Sequence, residues 1–179
     1  MKEYFDKMKG QGKLPSRRSA LEIASSVLAS FCGIVIIPCL TMGLDLMSAD
    51  KLFLVGSFGA TAVLLYAAPT SPLSQPRNLI GGHVISALIG VFCYRAFINY
   101  PMLAPAIAVS LSILAMQLTC TVHPPGGATA IIAVLGSDRI HDLGYSYAFF
   151  PILTGAILML LVALLSNNIG KGRRYPLYW

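Results

Sequence analysis

Apolar residues in this chain come in long blocks, and the polar ones gather between them. No Asp, Glu, Lys, Arg or His occurs in 23–44, in 96–122 or in 145–168. Each block is long enough to cross a hydrocarbon core of about 30 Å, which takes roughly 20 residues. Two further blocks, 52–68 and 79–94, are shorter, and His83 is their single histidine or charged residue.

These blocks predict the elements. A first span covers about 20–40, with Pro38 near its far end, and a polar loop fills 42–51. A second element runs over 52–68 and stops at Pro69. Pro69, Pro72 and Pro76 keep the connection 69–78 short and extended, because proline fixes φ and disfavours helix in the residue before it. Spans over 79–97 and 102–118 flank a turn at Asn99-Tyr100-Pro101. The stretch 119–125, Thr-Cys-Thr-Val-His-Pro-Pro, cannot be helical across its prolines. A helix of about eleven residues, roughly 16 Å long, then fills 126–136. A polar loop over 137–144 leads to a last span over 145–167.

The chain repeats itself at an offset of 68: Phe58-Gly-Ala-Thr-Ala-Val-Leu64 aligns with Gly126-Gly-Ala-Thr-Ala-Ile-Ile132. The register continues, since Ser86-Ala-Leu-Ile89 falls on Thr154-Gly-Ala-Ile157. Each copy has the order span, motif element, span. If the motif elements cross the bilayer, each copy makes three crossings and the second is inverted, a plan common in transporters. If they are re-entrant, the copies are parallel. Counting basic residues does not decide, but the near-spanning length of 52–68 favours crossing. The fold expected is therefore an all-α integral membrane domain. It has six membrane-crossing helical elements as a 3+3 inverted repeat, two of them short or broken. The domain covers 19–168, with repeats at about 20–97 and 98–168. It lies between a basic N-terminal tail (1–18) and a basic, aromatic C-terminal tail (169–179).

Composition strengthens this reading: 56% of residues are hydrophobic and 11% charged, against about 25% charged in a typical soluble domain. The net charge of +6 does not point to nucleic acid. Lys2, Lys7, Lys9, Lys13, Arg17 and Arg18 precede the first span, and Lys171, Arg173 and Arg174 follow the last. Basic residues flanking spans put both termini in the cytoplasm and suit anionic lipid headgroups. The polar first twenty residues do not read as a cleavable secretory signal. The four cysteines read as small buried hydrophobes.

The candidate chemistry centres on 119–132. Pro125 suits the first position of a helix. Gly126, Gly127 and Ala128 would then offer free N–H groups to a ligand that approaches the bare backbone. Thr129 adds a hydroxyl one turn in. Ser57, Gly59, Ala60 and Thr61 offer a second, weaker copy, with Ser57 as a cap. Two such helix starts near the midplane would select an anion without a full charge in the membrane. The alternative is that the glycines only let helices approach. His83 and His123, at membrane depth, are candidates for a gate or proton relay. Neutral, hydrogen-bonded imidazoles are nearly as consistent with the sequence. Arg77 and Asn78 stand where an anion would enter. No ligand spacing for a metal, no cofactor fingerprint and no nucleophile–base pair occurs, so neither cofactor nor enzyme activity is expected.

The stretch His123-Pro124-Pro125-Gly-Gly-Ala-Thr-Ala130, with Gln75-Pro-Arg-Asn78, Gly82-His83, Ser86 and Gly90, resembles the HPP family of integral membrane proteins over about 17–168. The tail Arg173-Arg-Tyr-Pro176…Trp179 is similar to those of cyanobacterial and chloroplast members. The resemblance implies nitrite transport, here in a bacterial plasma membrane. The alternatives are a membrane scaffold or sensor that binds a partner protein or lipid, and a carrier of a cation or neutral solute. A protomer this small, with small-residue helix faces, is compatible with a homodimer.

Overall fold

A computed structural model describes residues 18–42, 48–169 and 173–179. The tail 1–17, Asp45 and Lys171 lie outside the described residues. Every regular element among the described residues is helical.

Helix α1, Ala20–Thr41, opens with a capping box: Ser19 Oγ accepts from Glu22 N, and the Glu22 carboxylate accepts from Ser19 N at 2.9 Å. Helix α2, Ser48–Ala62, continues without a break through a π-helical turn, Val63–Ala67. After the short 3₁₀ turn Pro72–Ser74, helix α3 covers Pro76–Ala96 with proline at its start. Helix α4 is Ala104–Leu118 and helix α5 is Pro125–Leu135. The expected loop at 137–144 instead contains a short helix, α6, Asp138–Leu143. The last span is also not one straight rod. Phe150 is extended (φ −136°, ψ 117°), and α7 proper is Thr154–Ser166. The cause is local: Phe150 precedes Pro151, which disfavours helix at 150 and has no N–H to give.

Element ends gather at two ends of the bundle. At one end Ser26 Oγ donates to Tyr66 O (2.6 Å), Asn167 Nδ2 to Leu65 O (2.8 Å) and Arg77 Nη2 to Thr119 O (2.9 Å). At the other end Asp50 accepts from Ser137 N (2.9 Å) and from its hydroxyl, and Tyr94 stacks on His141 with ring centroids 3.5 Å apart. The chain thus reverses direction from α1 to α2, α2 to α3, α3 to α4, α4 to α5 and α5 to α7. Arg18 and the C-terminal segment lie at the same end.

Three stretches are long and apolar enough to cross a membrane: Ala20–Leu40, Pro76–Ala96 and the kinked Asp138–Ser166. Leu54–Ala67, Ala104–Leu118 and Pro125–Leu135 are shorter apolar helices beside them. Large apolar side chains on α1 face outward, among them Leu21, Val27, Leu28 and Phe31 at 65–72% exposure. Such a surface is stable where lipid is the solvent. Lipid is as apolar as leucine, so helices in it are held by close packing and not by hydrophobic expulsion. Accordingly α3 and α5 meet backbone to backbone. A Cβ on Gly126 would come 2.7 Å from Gly82 O, and one on Gly90 would come 2.7 Å from Ala130 O.

Candidate functional site

Five polar side chains from α2, α3, α5 and the segment before α5 form one buried network. Ser57, Thr61, His83, His123 and Thr129 are each at most 1% exposed. His83 sits between the two threonines of the repeated Gly-Ala-Thr-Ala segments. Thr61 Oγ1 is 2.8 Å from its Nε2, and Thr129 Oγ1 is 2.8 Å from its Nδ1. Each threonine also reaches the carbonyl four residues back, Ser57 O and Pro125 O, at 3.3 Å. Ser57 Oγ bridges the two motifs, at 3.0 Å from Thr129 Oγ1 and 3.1 Å from Pro125 O. The His83 and His123 ring centroids are 5.0 Å apart, and Phe58 packs 5.1 Å from His83 on another side.

One carbonyl sets the direction of the bonds between Thr129 and His123. His123 Nδ1 lies 2.8 Å from Leu73 O, and a carbonyl only accepts, so Nδ1 carries the proton. In the neutral ring Nε2 then accepts, and the Thr61 hydroxyl 3.2 Å away donates to it. With its proton so committed, Thr61 accepts from His83 Nε2–H. His83 Nδ1 is left to accept from the Thr129 hydroxyl, and the one Ser57 proton is divided between Thr129 Oγ1 and Pro125 O. The result is a single-file run of donors from Thr129 to the turn at Leu73. Such a run can move a proton by passing it from group to group. It contains no carboxylate. The acidic side chains among the described residues, Glu22, Asp50, Asp138 and Asp142, lie in the first turns of α1 and α2 and in α6.

The structure brings together Ser57, Thr61, His83, His123, Pro125 and Thr129 from the residues singled out in the sequence. It separates the others. Gly56–Thr61 is not a helix start, because α2 is continuous across it; Ser57 is a mid-helix donor and not a cap. Gly59 has nothing within 4 Å of a built Cβ, and Ala60 is exposed, so both face away from the network. The expectation of bare amides at Gly126 and Gly127 is also corrected. Gly126 N donates to His123 O (2.9 Å) and Gly127 N to Pro124 O (3.0 Å), because the two prolines curl the chain into a turn that supplies these acceptors. Ala128 is half-buried. Arg77 caps the end of α4 at Thr119 O, and Asn78 Nδ2 holds Val122 O at 2.9 Å. Both fasten the segment before α5 to α3.

A family model, described as the transmembrane region of HPP proteins, matches residues 15–176. The chain belongs to the HPP family. Two transmembrane proteins of Dictyostelium discoideum are similar to this HPP chain, one 43% identical over 180 residues and the other 45% identical over 183. Each alignment covers 99% of the chain but 57% and 63% of the relatives, so the chain spans about six tenths of their length. No solved structure matches it. The HPP domain is an integral membrane protein.

Sequence reasoning missed what closes the network toward the Leu73 turn. The C-terminal segment of this HPP chain folds back over 72–78. Tyr175 OH donates to Ser74 O (2.7 Å), Leu177 N to Gln75 Oε1 (2.8 Å), and Tyr178 OH to Pro72 O (3.0 Å). Burial pushes the Tyr175 phenol above its ordinary range, so it stays a donor at every physiological pH. Tyr147 OH, also missed, donates to Thr129 O at 3.2 Å. The tail's aromatic residues were a signal in the sequence, but nothing there showed which loop they cover. Tyr175→Phe removes one hydrogen bond, about 1 kcal/mol. Faster trypsin cleavage after Arg174, with the helical circular dichroism unchanged, is the expected outcome.

Proposed function

We propose that this HPP domain transports a small inorganic anion, nitrite in the first instance, together with a proton. The observation that carries the reading is the buried hydroxyl–imidazole run through Thr61, His83 and Thr129. Ionisable groups at membrane depth mark substrate or proton pathways more often than they serve packing. This set can donate to an anion's oxygens and can take up a proton, but offers no carboxylate to a cation. In the conformation described, the donors satisfy one another. Transport then requires the anion to replace one of these internal bonds, and a proton on an imidazole balances its charge. The six alternating elements act as two inverted halves, each contributing one threonine to His83. Among the described residues, Arg18, Arg77, Arg173 and Arg174 lie at the end where α1 begins and the C-terminal segment packs, against Lys51, Arg95 and Arg139 elsewhere. This bias orients the termini to the cytoplasm.

The test is nitrite uptake into liposomes that hold the purified chain. We expect uptake above empty liposomes, faster when the outside is more acidic, and loss of that acceleration in Thr61→Val, which cuts the run between the histidines. Uptake at the level of empty liposomes, with protein that still melts cooperatively, rejects the reading. One observation favours a second reading, a scaffold for a partner. Gly126 is packed on Gly82 and its amide is already bonded. That reading predicts no thermal shift with nitrite, nitrate, formate or chloride.

A further inference from the structure

We propose that an anionic phospholipid binds in a continuous site formed by α1, α7 and the start of the C-terminal segment. Two cavities adjoin there. The upper one, about 300 Å³, is lined by Arg18, Arg173 and Arg174 with a single carboxylate, Glu22. The lower one, about 510 Å³, is an apolar groove between α1 and α7, lined by Leu21, Leu28, Ala29, Val162 and Leu165. Leu21 and Glu22 are consecutive, as are Ser166 and Asn167, and in both pairs the first residue lines the groove and the second the basic cavity. The two cavities therefore adjoin at the end of the bundle where α1 begins.

The charges are not all spent internally. Arg173 Nη2 pairs with Glu22 Oε1 at 3.2 Å, while Arg18 and Arg174 make no ion pair among the described residues. Three guanidinium groups against one carboxylate leave the cavity with a surplus of two positive charges. Guanidinium groups hold phosphate oxygens two at a time. The lipid's phosphate fits the arginines, and an acyl chain lies along the groove, which water would fill poorly. A second copy of the chain could cover the groove's leucines, but it would bring more arginines to the same mouth.

Full-length protein in a neutral detergent is titrated with dioleoylphosphatidylglycerol, dioleoylphosphatidylcholine or inorganic phosphate, followed by native mass spectrometry and thermal melting. We expect the glycerol lipid to be retained and to raise the melting temperature, and the choline lipid and free phosphate to do neither. Arg18→Gln combined with Arg174→Gln, which leaves the Arg173–Glu22 pair intact, is expected to weaken retention roughly 30-fold. Ala29→Trp, which fills the groove, should also abolish retention, while Arg77→Gln at the same end should leave it unchanged. Equal retention of both lipids, an effect of phosphate alone, unchanged retention in the double variant, or a dimer that Ala29→Trp dissociates would each overturn the proposal.

Discussion

Gly82→Ala is expected to destabilise the chain by about 3 kcal/mol or more, while Gly127→Ala leaves its melting temperature unchanged or slightly higher. The two glycines differ in what surrounds them. A Cβ at position 82 would overlap the Cβ of His123 and come 3.0 Å from Thr121 O. Neither neighbour is the end of a flexible side chain. To make room, the segment before α5 must move off α3, and with it go the bonds from Asn78 to Val122 and from Thr61 to His123. At position 127 the nearest atom to an added Cβ is Val109 Cγ1 at 3.9 Å, an ordinary contact. There the methyl only restricts the unfolded chain, worth up to about 1 kcal/mol. Thermal unfolding of the purified variants in one detergent separates the two. Parallel melting of Gly82→Ala and the parent would show that the α3–α5 contact has slack the geometry denies.

His83→Gln is expected to leave a folded protein that has lost proton-stimulated uptake. Glutamine keeps one donor and one acceptor but cannot pass a proton through a ring. It also cannot span from Thr61 to Thr129, which the imidazole does with both nitrogens at 2.8 Å. The two hydroxyls are not stranded, because each has the carbonyl four residues back within 3.3 Å. The stability cost is therefore that of a few hydrogen bonds, about 1–3 kcal/mol, less than leaving buried donors with nothing. His83→Ala adds a cavity beside Phe58 and should cost more, about 3 kcal/mol. Uptake at two external pH values, with melting curves for each variant, measures both effects. Unaltered acceleration by acid in His83→Gln would remove the imidazole from the pathway.

The helices were readable in the sequence because lipid tolerates few exceptions. Runs without charge had to be spans, and Pro125 and Gly136 marked α5 to within a residue. Other features turned on context. The stretch 57–61 looked like a second helix start, but a lone glycine costs a helix only about 1 kcal/mol, and α2 passes straight through. Pro151 carries the signal for the break at Phe150, inside a long apolar run that reads as one span. The repeat singled out Thr61 and Thr129, yet not their meeting at His83, which depends on how three helices pack. The Leu73 carbonyl that sets the direction of the bonds has no sequence signature, since every residue carries the same group.

The manner in which α3 is joined to its neighbours decides where the domain can give way. Toward α5 the joint is close packing on main chain at Gly90 and Gly126, with one side-chain bond, between His83 Nδ1 and Thr129 Oγ1. Toward α2 it is the bond between Thr61 Oγ1 and His83 Nε2, which water or a solute can substitute one for one. Parting the first joint would open a void, whereas parting the second only exchanges partners. The α3–α5 contact is therefore the costlier of the two to part.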